Sequence, residues 1–265
     1  MNMSLSSRKP QRGFSLLEMM VAAAIFMTIC GAVLSLLNVS QKRYQTDSQV
    51  LSSFQEARLA IDQMSRDIGN AGYPPLNEFA ATATPATTQY ATSPFAWSPS
   101  YPITPCAVGN CTTPGNFDLI VETNVNPESN CVAWIRYQLV GTTLFRGEVC
   151  KTTGDPSGPT TAAGIMVPYV TNVMNNASAA QIAALNAAYP GLFPGGNPVP
   201  IFTYTCDNGT TGPVLCTAAG VNNLPSNIRD VGLNLIVESQ QVDAQSGQIR
   251  AVALHGRGRR VNPNQ

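Results

Sequence analysis

The hydrophobic pattern of the chain changes character twice. Residues 19–37 carry no charge, and only Thr28 and Ser35 are polar. As a helix this run extends roughly 28 Å, close to the ~30 Å hydrocarbon core of a bilayer. Farther on, Val50, Phe54, Ala57, Ile61, Met64 and Ile68 recur at 4-3-4-3-4 spacing, one apolar stripe of a helix. Gln55, Glu56, Arg58, Asp62, Gln63 and Arg66 occupy the opposite face, and Gly69, Gly72 and Pro74-Pro75 end the pattern. The spacing predicts one helix over about 14–68, roughly 80 Å long. Its first half is apolar all round. Its second half is amphipathic and suited to packing on a globular head.

Beyond residue 73 the period shifts from helical to alternating. Strands are predicted at 117–125, 131–140, 143–150, 166–173, 200–206, 228–239 and 248–258. Gly141-Thr142 marks one hairpin turn and residues 243–247 another. A short helix is predicted over 178–189, with Ser178 as N-cap and Pro190-Gly191 as terminator. Residues 73–115, rich in Pro, Thr, Ala and Ser, predict a long irregular loop. The expected class is α+β: a long N-terminal helix packed on an antiparallel β-sheet head with long loops.

Composition narrows this picture. The chain has 265 residues, zero formal net charge and 11% charged residues, which argues against a mainly electrostatic partner such as bulk nucleic acid. Its 21 glycines and 20 prolines fit a loop-rich head. Of seven cysteines, Cys30 falls in the apolar run. The other six are Cys106, Cys111, Cys131, Cys150, Cys206 and Cys216, an even number that suits an oxidising compartment. The local pairing Cys106–Cys111, Cys131–Cys150 and Cys206–Cys216 is expected, each pair flanking a loop or hairpin. No Cys-x-x-Cys occurs and His255 is the sole histidine, so no metal site and no cofactor are expected. Neither a phosphate-binding Gly-Lys loop, a Gly-x-Ser-x-Gly elbow nor a His-Glu-x-x-His pair is present, and no enzymatic activity is expected. The basic cluster at 255–260 is expected to be a solvated strand end, with phosphate, lipid or DNA contact as the alternative.

The junction Gly13-Phe14 adds chemistry to the apolar run. A secretory signal places its small residues after the apolar region, whereas here the small residue precedes it. Cleavage after Gly13 would leave the helix on the mature chain, starting at Phe14. Arg8, Lys9 and Arg12 would keep the leader cytoplasmic. Glu18 lies one helical turn from Phe14. An ionisable group at the edge of a span suggests function; the alternative is a carboxylate that suits the helix dipole. It could pair with the α-amine of Phe14 on a neighbouring subunit.

Gly13, Phe14 and Glu18 within RGFSLLEMMVAAAIF resemble the class III signal of type IV prepilins and type II secretion pseudopilins. The resemblance implies cleavage after Gly13 by a prepilin peptidase, N-methylation of Phe14, and an assembly role for Glu18 at the fifth mature position. Ser35 stands where many major pilins carry proline, so an uninterrupted helix is expected. RLAIDQMSRDIGNAGY at 58–73 resembles the end of the long helix in PilW-like minor pilins and J-type minor pseudopilins. WIRYQLVGTTLFRGE, PIFTY and IRDVGLNLIVES are similar to strand segments of those proteins, in the same order. The implied organisation is a leader at 1–13, a membrane and filament-core helix at 14–40, an amphipathic continuation at 41–72 and a β-rich head at 73–265.

The implied function is that of a minor pilin, a structural subunit in pilus assembly or priming near the tip. The alternatives are a minor pseudopilin of type II secretion, or a tip adhesin or DNA-uptake subunit. Expected partners are the prepilin peptidase and methylase, other minor and major pilins, the inner-membrane assembly platform and, before assembly, inner-membrane lipid. Ligand or DNA binding by the head is left open. The head would be periplasmic before assembly and on the pilus afterwards.

Overall fold

The structure is a computed structural model and describes residues 13–96, 114–126, 131–152, 165–207, 212–243 and 247–261. The chain divides into two compact units, Met1–Asp47 and Ser48–Gln265.

Helix α1 runs unbroken over Leu16–Gly69. No proline interrupts it, and Ser35 sits inside it without a kink residue nearby. Within the first unit, residues 13–45 are all exposed except the half-buried Cys30. The side chains there that would ordinarily seek a core, such as Leu16, Phe26, Ile29 and Leu34, are 57–79% exposed. Polar Thr28 satisfies its hydroxyl locally, donating to the Ala24 carbonyl at 2.8 Å.

The second unit holds the core. The last five turns of α1 supply Ala57, Ala60, Ile61, Met64 and Ile68 to it, all buried. Two antiparallel sheets supply the rest. The first has strand order β1 (Asp118–Thr123), β2 (Ala133–Val140), β3 (Thr143–Cys150) and β4 (Val167–Val170). The second has β6 (Pro213–Leu215), β5 (Phe202–Asp207), β7 (Ile228–Val242) and β8 (Ile249–Arg259), in that order. Alternation along β7 aims Val231, Leu233, Leu235 and Val237 at the core shared with α1, and Ile236 at the opposite face. The opposite face is covered by Ile182 and Leu185 of α2 (Ala179–Ala188) and by Met174 and Phe193 of the segments flanking it. The first sheet repeats the arrangement: Leu119, Val121, Ile135 and Tyr137 face α1, while Ile120 and Trp134 pack with Ala96 on the far side.

One predicted strand is shorter than expected, and one strand is additional. The strand expected at 166–173 stops at Val170; Asn172 adopts a left-handed backbone (φ 57°), and Val173 then forms an isolated bridge to Val237 that links the two sheets. The segment β6 was not foreseen, because three residues beginning with proline carry no alternating signal.

The second half of α1 lies under β8, and the sequence shows why. A β-carbon on Gly258 would lie 2.6 Å from Ile68, and one on Gly256 would overlap Ile61. Only glycine at these alternate positions lets the strand approach the helix. Ser65 donates to the Arg257 carbonyl at 2.6 Å, and the Val261 amide donates to the Gly69 carbonyl at 3.1 Å.

Candidate functional site

The first candidate site is the start of α1. Ser15 immediately precedes the helix, and Glu18 is the acid of its first turn. The Glu18 carboxylate reaches back and accepts the Ser15 amide hydrogen at 3.1 Å. This is one arm of a capping box, Ser-x-x-Glu, and it satisfies one of the amides that a helix leaves open at its start. The carboxylate is thereby held one peptide unit from Phe14. The Ser15-x-x-Glu18 spacing is the signal in the sequence that marks this cap.

Gly13 has open space where a β-carbon would stand, so among the described residues nothing calls for glycine there. Phe14 is 85% exposed. Among the described residues, both Gly13 and Phe14 are exposed.

The cysteines fall into three groups. Cys131 and Cys150 are disulfide-bonded with Cα atoms 5.7 Å apart, closing the end of the β2–β3 hairpin opposite its Gly141-Thr142 turn. Cys206 and Cys216 are bonded across β5 and the turn after β6, with Cα atoms 4.9 Å apart and both side chains buried. Cys106 and Cys111 lie outside the described residues, as do Trp97 and Tyr101 of the predicted loop. Cys30 carries a free thiol. Among the described residues no cluster of three His, Cys, Asp or Glu is placed to hold a metal ion.

Two buried polar clusters tie the head together, and neither was evident from spacing. Asp67 of α1 accepts from the Tyr137 hydroxyl at 2.5 Å and from Gln63 at 2.8 Å. Arg146 of β3 donates to the Tyr137 oxygen at 3.2 Å and lies 3.5 Å from Asp67. Burial first, and the Asp67 carboxylate second, push the Tyr137 phenol above its ordinary range, so it remains a proton donor. The second cluster is the fully buried ion pair of Lys151 with Glu122. Lys151 also donates to the Tyr90 carbonyl at 3.0 Å and Thr92 at 3.2 Å, which pins the predicted loop to the end of β3. Phe95 of the same loop is fully buried in the core, and Tyr90 packs edge-on against Phe79.

In the basic cluster at the end of β8, His255, Arg257 and Arg259 are exposed, as the sequence suggests, whereas Arg260 is not. Arg260 is buried, donates to the carbonyls of Ser226 at 2.7 Å and Ile228 at 3.1 Å, and has its pKa lowered to about 10 by desolvation. Arg257 pairs with buried Asp230 at 2.6 Å. His255 is exposed and shares a hydrogen with Asn234 at 2.6 Å.

Comparison with known proteins bears on the first site. The family description "Prokaryotic N-terminal methylation motif" matches residues 8–34, the stretch that holds Gly13, Phe14 and Glu18. No curated protein and no solved structure matches the chain. Among the described residues one helix, α1, is long and apolar enough to cross a membrane. The motif and the apolar helix together support a type IV pilin-like or pseudopilin protein. They fit processing by a prepilin peptidase, pilin partners, and anchoring in the inner membrane before assembly.

Proposed function

We propose that the chain is a minor pilin of the PilW-like kind, a structural subunit that takes part in assembling or priming a type IV pilus near its tip. One observation carries the reading most of the way. An apolar helical segment over residues 19–37, exposed at every position but the half-buried Cys30, is joined to a head with its own core. Such a surface requires cover from lipid or from other apolar helices. The methylation motif at 8–34 supports the same two environments in succession. The assignment to a minor, PilW-like subunit draws on the resemblance of residues 58–73 and of the strand segments.

In this reading residues 1–13 form the leader, removed after Gly13, and Phe14 becomes the methylated N-terminus. Residues 14–40 are first a membrane span and then part of the filament core. Residues 41–72 carry the span into the head, which occupies 73–265. The head is periplasmic before assembly and on the cell surface afterwards. Glu18 pairs with the α-amine of a neighbouring subunit's Phe14 and sets register. The Ser15 amide already bonded to Glu18 is the interaction that the incoming amine shares or displaces. The assembly platform of the inner membrane lifts the subunit into the growing filament. The chain contributes no catalytic step.

Removal of the gene, followed by counting surface filaments, tests the assignment. Filaments should become scarce and return on complementation with the intact chain. Normal filaments with a loss of protein secretion would replace the reading with a pseudopilin. Normal filaments with lost surface attachment or DNA uptake would replace it with a tip adhesin.

A further inference from the structure

The face of the second sheet that looks away from α1 carries a cavity of about 480 Å³. Its floor is β7, with Met174 beside it; its walls are α2, through Ala184, Leu185 and Ala188, and the start of β8 at Ile249. The alternation that sends Ile236 to this face also sends Glu238 there. Across the ladder Glu238 stands opposite Ala251, and Ile236 opposite Ala253. Both alanines pack against the apolar cluster of Met174, Leu185 and Ile236 on this face.

Glu238 is set apart by its charge environment. Among the described residues of the head, seven carboxylates are buried or half-buried. Six of them face a cation: Asp67 Arg146, Asp118 Arg136, Glu122 Lys151, Asp207 Arg229, Asp230 Arg257 and Asp243 Arg250. Glu238 faces none, and no hydrogen bond from a described residue reaches its carboxylate. The nearest guanidinium along β8, that of Arg250, is held by Asp243 through two of its nitrogens. Removing a carboxylate from water without a partner is costly, and burial raises its pKa accordingly. A fold that pairs its other buried and half-buried acids and leaves this half-buried one open to a largely apolar cavity has the features of a binding site.

The cavity is also built rather than incidental. The loop entering α2 is fixed by Asn175, whose side chain bonds Val199, Asn234 and Ile236. Ser178 and Gln181 form a complete capping box at the start of α2. Asn186 holds Phe193 through both its amide atoms, and the Tyr189 hydroxyl donates to the Ile249 carbonyl at 3.0 Å. The two walls are thus joined at the C-terminal end of α2.

We propose that this cavity binds a small organic cation, an ammonium or guanidinium group on an apolar body, with the Glu238 carboxylate as its counter-ion. The volume lies within the range of about 300–1,000 Å³ of small-molecule sites, so a whole ligand fits without a macromolecular partner. The apolar body lies against Leu185, Met174 and Ile249. The inference stands on the head alone and is independent of how the subunit assembles.

The test uses the full chain in non-ionic detergent micelles with labelled Met, Ala, Ile and Leu methyl groups. Phenethylammonium is titrated in parallel with 2-phenylethanol, a neutral molecule of similar shape that enters micelles more readily. The cation should give saturable shifts at Met174, Leu185 and Ile249 and bind about tenfold more tightly than the alcohol. Glu238→Gln should lower the affinity for the cation to that for the alcohol. Ala184→Leu, a good helix former at the mouth, should weaken both probes. Unchanged methyl signals of Leu119 and Ile135 confirm that the variants are folded. Equal binding of the two probes, an unaltered affinity in Glu238→Gln, or the absence of saturable shifts would each overturn the proposal.

Discussion

The two halves of α1 make opposite use of the same helical backbone. Over residues 19–37 the helix is apolar on every side, and all of these positions but the half-buried Cys30 are exposed. After Ser48 it is apolar on one stripe, and that stripe is buried among two sheets. Leu34 is 66% exposed and Ile68 is fully buried. The difference teaches that hydrophobicity alone does not say what a helix does; the distribution around the axis does. A one-sided stripe is satisfied within the chain. An all-round apolar surface passes the requirement for cover to something outside it.

Substitutions at matched apolar positions should separate the halves. Ile68→Ala removes a side chain packed in the core and should cost about 2–5 kcal/mol in urea unfolding of the full chain, followed by Trp134 fluorescence. A loss below about 1 kcal/mol would mean that the second half does not support the head as described. Asp67→Ala should cost about 2–3 kcal/mol in the same experiment, because it strands the buried Tyr137 hydroxyl and releases Arg146. Gly258→Ala should cost about 1–3 kcal/mol through overlap with Ile68. Combining it with Ile68→Ala should give less than the sum of the two losses, since the truncated partner makes room. Leu34→Ala should change the unfolding of the head by less than about 0.5 kcal/mol while weakening retention in the membrane. A large loss of head stability from Leu34→Ala would erase the distinction between the halves.

How much of this was legible depended on how local the cause is. The stripe from Val50 to Ile68 is written at helical spacing and required no tertiary knowledge. The hairpins around Gly141 and residues 243–247 are equally local, set by turn residues between alternating strands. Ser178 as a cap follows from a hydroxyl placed just before a run of helix formers. The Asp67–Tyr137–Arg146 cluster was not legible, because its members lie 70 and 79 positions from Asp67 and nothing in the sequence sets their meeting. Arg260 misled for the opposite reason. A run of arginines suggests solvent, but the fold draws one of them under the carbonyls of Ser226 and Ile228. Gly256 and Gly258 did carry a signal, glycine at alternate strand positions, that marks a close backbone approach.

The N-terminal site was legible to a different degree. Gly13, Phe14 and Glu18 stand out by type and spacing, but their roles concern partners that are not part of the chain. The structure adds that Glu18 is turned toward the start of the helix through the Ser15 amide. It also adds that Gly13 has no steric reason of its own to be glycine. Both observations bear on the proposed cleavage after Gly13 and the proposed role of Glu18 in assembly.

The most direct measurement is mass spectrometry of the N-terminal peptide of the protein taken from its native host. A mature chain that begins with N-methylated Phe14 is the expected result. An intact leader, or cleavage beyond the apolar run, would contradict the account.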